Sequence, residues 1–358
     1  MDPFRVVVVD DSALFRTMLR NVLSEIPDCQ VVASVADGKA AIEKIAELQP
    51  DLVTLDVEMP ELSGIDVLRE LKRKRIKAKV VMISRLTTAG AQVTTDALLE
   101  GAFDFILKPS GSNPSENKAA LRSALEERIC ALRETAPSTA ETSTASDDSS
   151  ESLAGIRHID AVVIGCSTGG PDALAQVIPD LPADFPVPVF IVQHMPERYT
   201  ASLAARLNEA SELEVVEASD GMRVKPGYVA LARGGRHLQL ERRTSDGVFI
   251  RLIESPAEHG CRPAVDFTLR SAVQLFGGQL LTVILTGMGR DGTAGCELVR
   301  SRGGRVIAQH ADGCTVYGMP KAVIQAGHAD AIVKLPRMTR TIVHQLKLAP
   351  PSAGDNSE

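Results

Sequence analysis

Residues 4–12 read FRVVVVDDS, an apolar run over Arg5–Val9 that ends in two aspartates and a serine. Four consecutive valines suit an extended strand buried on both faces, because β-branched side chains pack well on a pleated surface. The pattern recurs downstream. Val31–Ser34, Leu52–Leu55, Val80–Ile83 and Phe103–Leu107 read as further strands, with amphipathic segments near 13–25, 38–48, 64–74, 90–100 and 115–133. Five βα units with nearly continuous hydrophobic strands predict a parallel sheet covered on both faces, with any ligand at the carboxyl ends of its strands.

Beyond these units, residues 134–155 read ETAPSTAETSTASDDSSESLAG, with five acids and no Lys or Arg. So little apolar surface cannot offset the entropy of ordering, so a flexible linker is expected there. Alternation then resumes. Ala161–Ile164, Val189–Val192, Leu280–Leu285 and Val306–Ala308 read as buried strands, each followed by a loop and a helical pattern. From about 213 to 255, glycine turns separate shorter runs such as Tyr228–Ala232 and Val248–Ile253, which suggests an antiparallel insertion or edge extension. The expected division is a first domain over 1–133, the linker over 134–155, a second domain over 156–348 and a disordered tail over 349–358. Both domains are expected to be doubly wound α/β, the second carrying the antiparallel extension.

A chain of 358 residues is long enough for two or three cores. Tryptophan is absent and aromatics make up 3%, so those cores must be built from Val, Leu, Ile and Ala. The net charge of −7 argues against a nucleic-acid-binding output, which needs a basic face. Six cysteines without a CxxC pair suggest reduced, buried thiols and a cytoplasmic compartment. No signal peptide or membrane-length apolar run is evident.

Chemistry concentrates at two sets of strand ends. Asp10 and Asp11 follow the first strand and Asp56 ends the third. Three gathered carboxylates repel one another unless a cation sits among them, and an oxygen-only set suits Mg²⁺. Ser84 ends the fourth strand and Lys108 the fifth; a hydroxyl and an ammonium at that edge suit a transferred phosphoryl group. Any one strand-end acid is more often a cap or turn former, but five such residues on one edge point to a site.

The second set begins at Gly165-Cys166-Ser167-Thr168-Gly169-Gly170-Pro171. Glycines flanking a serine allow a sharp strand-to-helix turn that exposes the hydroxyl, as in G-x-S-x-G, and backbone N–H groups at the helix start can face an oxyanion. A phosphate-binding loop is the rival, although the P-loop lysine is missing. A serine needs a base, and the base an orienting group. His194, directly after Val189–Gln193, lands on the same edge, and His310 at another strand end is the rival base. Asp291, in TGMGRDG over 286–292, is the best-placed acid, ahead of Asp266 and Asp312. The remaining histidines (158, 237, 259, 328 and 344) read as surface or packing residues.

VVVDDS (7–12), LVTLDVEMPELSG (52–64) and FILKPS (105–110) resemble the motifs of CheY-like receiver domains over residues 4 to about 125. GCSTGGP, VQHMP, TGMGRDG and YGMPKAV resemble the signature segments of the CheB methylesterase catalytic domain over roughly 158–346. The first resemblance implies a flavodoxin-like receiver with Asp56 as phosphoacceptor. Asp10, Asp11, Asp56 and the Val57 carbonyl would hold Mg²⁺, Ser84 and Lys108 would contact the phosphoryl group, and Phe105 would report activation. A cis peptide between Lys108 and Pro109 is also expected from it. Arg85 is bulkier than the small residue expected there.

The second resemblance implies a Rossmann-like hydrolase with Ser167 as nucleophile, His194 as base and Asp291 as its orienting carboxylate. Main-chain N–H groups near Thr168 and Met288 would hold the oxyanion, and the hydrolase would use no cofactor. Cys166 replaces an expected small residue, and its side chain should point into the core. The implied activity is demethylation of chemoreceptor glutamate methyl esters, releasing methanol, together with deamidation of receptor glutamines. Phosphorylation by a CheA-like sensor histidine kinase would relieve obstruction of the cleft by the receiver. Partners would therefore be methylated chemoreceptors and that kinase, without nucleic acid or membrane insertion. Two rival readings are a receiver with a DNA-binding or scaffold output, and a small-molecule esterase under phosphorylation control.

Overall fold

A computed structural model describes residues 3–85, 87–134, 158–243 and 247–347. The chain divides into two compact units, Met1–Ser138 and Thr139–Glu358. Of the expected linker only Glu134 is described, closing a helix; residues 135–157 and the expected tail lie outside the described residues.

In the first unit five strands alternate with five helices: β1 (Phe4–Val9), α1 (Ala13–Ser24), β2 (Cys29–Val35), α2 (Gly38–Leu48), β3 (Leu52–Asp56), α3 (Gly64–Arg73), β4 (Lys79–Ser84), α4 (Thr88–Leu99), β5 (Asp104–Leu107) and α5 (Pro114–Glu134). The strands pair in parallel in the order β2-β1-β3-β4-β5. This is the flavodoxin-like order, and its direction reverses between β1 and β3, where a crevice opens at the carboxyl ends. Val6 to Val9 are fully buried. Ser12 closes the opening motif by capping α1, its Oγ accepting from Phe15 N, which fixes where the strand stops and the acids stand.

The second unit runs β6 (Ala161–Cys166), α6 (Gly170–Val177), β7 (Val189–Gln193), α7 (Glu197–Ala210), β8 (Glu214–Glu217), β9 (Tyr228–Leu231), β10 (His237–Arg242), β11 (Val248–Ile253), α8 (Val265–Phe276), β12 (Leu280–Ile284), α9 (Thr293–Ser301), β13 (Arg305–Gln309), α10 (Met319–Gln325), β14 (Ala331–Val333) and α11 (Met338–Lys347). Seven strands form a parallel sheet in the order β14-β13-β12-β6-β7-β9-β8, while β10 and β11 make a separate antiparallel hairpin. The stretch from 213 to 255 therefore resolves into two structures. The Tyr228 run extends the main sheet in parallel, pairing with β7 and β8, and the Val248 run belongs to the hairpin. The hairpin rests on α8: Leu238, Leu240 and Ile250 share a core with Val265, Leu269 and Ala272. Ser271 Oγ accepts from Leu240 N and Thr268 Oγ1 donates to Leu238 O. Burying each such aliphatic side chain stabilises by roughly 1.5–3 kcal/mol, so the start of α8 is held firmly against the sheet.

Candidate active site and phosphorylation site

In the first unit, Lys108 Nζ lies 2.6 Å from Asp56 Oδ2 and 2.7 Å from Asp10 Oδ2. Asp10 and Asp56 are buried and Asp11 is exposed, and an oxygen of each comes within 4.8 Å of the others. Asp10 Oδ2 is buried and meets Lys108 as an ion pair, outside hydrogen-bonding geometry. An all-oxygen set of three gathered carboxylates fits a hard divalent cation. Burial pushes the Asp56 carboxyl up to about 6; the hydrogen bond from Lys108 opposes this and the charge of Asp10 adds to it. The Val57 carbonyl accepts from Gly64 N at 3.1 Å. Gly64 is needed there, since a Cβ would stand 2.1 Å from the Asp56 carbonyl oxygen.

Ser84 Oγ accepts from Thr94 Oγ1 of α4 at 2.8 Å, and Phe105 is buried on β5. Arg85 reaches toward Glu58, 4.0 Å away, beside a cleft that Asp11, Val57 and Met59 also line. Lys108 and Pro109 do not share the expected cis bond; among the described residues the cis peptide is Arg262–Pro263.

In the second unit the sheet reverses direction at β6, between β12 and β7. Register does much of the positioning: Cys166 pairs with Gln193 and Ile284 with Gly165, so Ser167, His194 and Thr286 all leave the sheet at one level. His194 N donates to Cys166 O at 3.1 Å and Ser167 N to Thr286 O at 3.0 Å. Gly169, at φ +77°, turns the chain into α6, with Gly170 N donating to Ser167 O at 2.7 Å. Gly287 packs directly on the serine, since a Cβ there would lie 2.8 Å from Ser167 Cβ. Met288 follows immediately, which brings both expected oxyanion positions, Thr168 and Met288, to the two segments flanking Ser167.

His194 Nε2 is 2.8 Å from Asp291 Oδ2, with both side chains buried. The Asp291 carboxylate is fixed from the start of α8: Val265 N donates to Oδ2 at 2.6 Å and Asp266 N to Oδ1 at 2.9 Å, and Gly292 N adds a third bond at 2.9 Å. Burial opposes its ionisation, but His194 and these N–H donors hold it below the usual carboxylate range. Among the described residues no hydrogen bond joins the Ser167 hydroxyl to His194; such contacts are commonly long before substrate binds. His310, the rival base, stands beyond the intervening β12 and accepts from Asp312 N through Nδ1. Asp312 is exposed beside Lys334, while Asp266 is buried and pairs with His259.

Three side chains here escaped the sequence reading. Gln193 Nε2 donates to both Ser167 O (2.9 Å) and His194 O (3.1 Å), and its Oε1 accepts from Cys166 Sγ. A buried glutamine ending an apolar strand was the available signal. The expected inward Cys166 is fully buried, and burial pushes its thiol up. Cys261 contacts the His194 ring, and His259 stands beside Asp266 and Asp291.

Burial alone would lower the His194 proton affinity, but the Asp291 hydrogen bond and the Cys261 contact outweigh it and lift the ring to about 9. An imidazole must be neutral to take a proton from serine, so kcat/KM for ester hydrolysis should rise with pH toward about 9. Cys261→Ser removes one raising contact and should move that limb to lower pH. Methanol release followed from pH 6 to 10 checks this; an unmoved limb means the sulfur does not act on the ring.

The CheB methylesterase family matches residues 162–342 and the response regulator receiver domain matches residues 6–122. A protein-glutamate methylesterase/protein-glutamine glutaminase of Desulfotalea psychrophila is 41% identical over 97% of this chain and 100% of its own length. The one of Thermotoga maritima is 44% identical over 92% of this chain and 94% of its own. The crystal structure of the Thermotoga maritima CheB methylesterase catalytic domain superposes with a TM-score of 0.51 at 47% identity, covering 52% of this chain and 98% of that one. This chain, a receiver domain followed by a hydrolase domain, belongs to the CheB methylesterase family.

Proposed function

We propose that the protein hydrolyses glutamate methyl esters on chemoreceptors, deamidates receptor glutamines by the same chemistry, and is stimulated by phosphorylation of Asp56. The observation that carries this reading is the meeting of a serine turn and a buried His194–Asp291 pair at one edge of the sheet. Ser167 Oγ attacks the side-chain carbonyl carbon and His194 takes its proton. Backbone N–H groups at Thr168 and Met288 hold the oxyanion, and His194 returns the proton to the leaving methanol. Water, deprotonated by His194, then frees the glutamate. An amide carbonyl in place of the ester releases ammonia by the same steps.

In the receiver, Asp56 accepts the phosphoryl group from a sensor histidine kinase, while Lys108 and Ser84 contact its oxygens. Asp10, Asp11, Asp56 and the Val57 carbonyl are the residues that would hold Mg²⁺, which neutralises phosphoryl charge when bound. Among the described residues no helix is long and apolar enough to cross a membrane, in keeping with a substrate presented by a receptor's cytoplasmic part.

The test is methanol release from a methylated receptor with and without a phosphodonor. A coupling of 1–3 kcal/mol corresponds to stimulation of roughly 5–150-fold. Asp56→Asn should remove that increment, and a variant still stimulated would sink the phosphorylation reading. Comparing methylated receptor with p-nitrophenyl esters separates a receptor enzyme from a small-molecule esterase.

A further inference from the structure

Gln193 is a buried side chain at the catalytic edge that the mechanism leaves unused; it ends β7 with 2% of its surface exposed. Its Nε2 donates to Ser167 O at 2.9 Å and to His194 O at 3.1 Å, and its Oε1 accepts from Cys166 Sγ at 3.0 Å. Both hydrogens of the NH₂ group and the amide oxygen are thereby engaged. Turning the amide over would set Oε1 against two carbonyl oxygens, so the surroundings admit one orientation. Gly170 makes room for it, since a Cβ there would stand 1.9 Å from Oε1. The strand end and the serine turn are therefore fitted to each other, through a glutamine on one and a glycine on the other.

The carbonyl that Gln193 holds belongs to the peptide joining Ser167 to Thr168. A trans peptide is planar, so its C=O and N–H point in opposite directions and fixing one fixes the other. Ser167 O accepts from Gln193 Nε2 and, at 2.7 Å, from Gly170 N. Before it in the chain, Ser167 N donates to Thr286 O at 3.0 Å; after it, Thr168 O accepts from Thr286 Oγ1 at 3.0 Å. Three successive peptide planes around the serine are thus pinned, and the middle one carries the Thr168 N–H. Two donors on its carbonyl also polarise that peptide, which strengthens its N–H as a donor.

We infer that Gln193 is a positioning residue for the oxyanion: by holding Ser167 O it aims the Thr168 N–H at the oxygen that gains charge when the serine attacks. The inference rests on the serine-hydrolase reading of Ser167. An N–H aimed in this way meets the oxyanion of the tetrahedral intermediate better than the planar carbonyl of the substrate. Its misplacement therefore falls on the chemical step and not on binding. The second Nε2 bond, to His194 O, holds the main chain of the base, whereas the ring is oriented by Asp291.

The experiment follows steady-state methanol release by full-length Gln193→Met, which keeps the side chain's length and loses its donors. Its kcat should fall about 10–100-fold with KM unchanged, and the ascending pH limb should stay near 9. Gly170→Ala displaces the amide without altering residue 193 and should give the same pattern; it carries the test if a thermal melt shows Gln193→Met unfolded. Cys166→Ala leaves both Nε2 bonds in place and should keep the wild-type kcat. A wild-type kcat in the folded variant overturns the inference. So does a loss confined to KM, or a limb that moves, since the glutamine would then act through substrate binding or through His194. An equal loss in Cys166→Ala would place the effect in packing and overturn it as well. Ser167→Ala is measured alongside: if it kept hydrolysing the ester, the hydrolase reading itself would fall, and if it is inactive, the Gln193 result judges the inference alone.

Discussion

Ser167→Ala is expected to abolish methanol release from a methylated chemoreceptor, with kcat lower by at least about 10⁴-fold. The loss should be chemical rather than structural. Every hydrogen bond by which residue 167 shapes its turn uses the backbone: its N–H donates to Thr286 O, and its carbonyl accepts from Gly170 N and Gln193 Nε2. Alanine keeps all three. The neighbouring thiol cannot substitute, because Cys166 is fully buried, donates to Gln193 Oε1 and has its proton affinity raised by burial. Residual turnover should reflect the remaining oxyanion donors and substrate binding alone. The receiver should still accept a phosphoryl group on Asp56 at the wild-type rate. A variant that released methanol at more than about one hundredth of the wild-type rate would show that another group attacks the ester.

The strands that carry the two sites were legible because they are nearly pure Val, Ile and Leu, and the chain must leave such strands in loops where polar residues gather. β1, β3, β6, β7 and β12 fall within a residue or two of the sequence reading. Sequence also placed Ser167 and His194 on one edge, since each directly follows a buried strand. Less legible was whatever depends on pairing between distant segments. Tyr228–Leu231 is four residues long, too short to reveal its direction, which the crossover from β8 decides. β8 and β14 were missed for the same reason of length. Asp291 could be ranked ahead of Asp266 only because it follows the strand Leu280–Leu285, and as an Asp-Gly residue it could equally have been a turn or helix cap. What separates them is the start of α8, 25 and 26 residues away in sequence, where the N–H groups of Asp266 and Val265 converge on Asp291. His259 read as a surface histidine because nothing local announces that its turn lies against that same carboxylate. The expectation of a cis Lys108–Pro109 bond came from the resemblance and not from any property of the residues, and it failed.

Asp291→Asn should cost nearly as much as loss of the serine, about 10⁴-fold in kcat, although it exchanges one oxygen for an amide nitrogen. The carboxylate accepts four hydrogen bonds: Asp266 N and Gly292 N on Oδ1, Val265 N and His194 Nε2 on Oδ2. An asparagine has one accepting end. If its oxygen keeps the two donors on the Oδ1 side, its NH₂ group faces the Val265 N–H and the His194 ring. Val265 then loses its acceptor, at about 1–3 kcal/mol of stability for a buried unsatisfied donor. The ring must also turn a lone pair toward the amide, which places its single proton on the other nitrogen. An imidazole in that tautomer cannot take a proton from Ser167 through the nitrogen that now carries one. Turning the amide the other way sets NH₂ against two backbone donors and still removes the negative charge that stabilises the imidazolium. Both arrangements remove the raising contact at His194, so the remaining activity should follow a pH profile whose ascending limb lies below the wild-type position near 9. Methanol release across pH together with a thermal melt tests both parts. A variant with unchanged kcat and an unmoved limb would mean that Asp291 is only a cap for α8, and that the base at this edge is oriented by some other group.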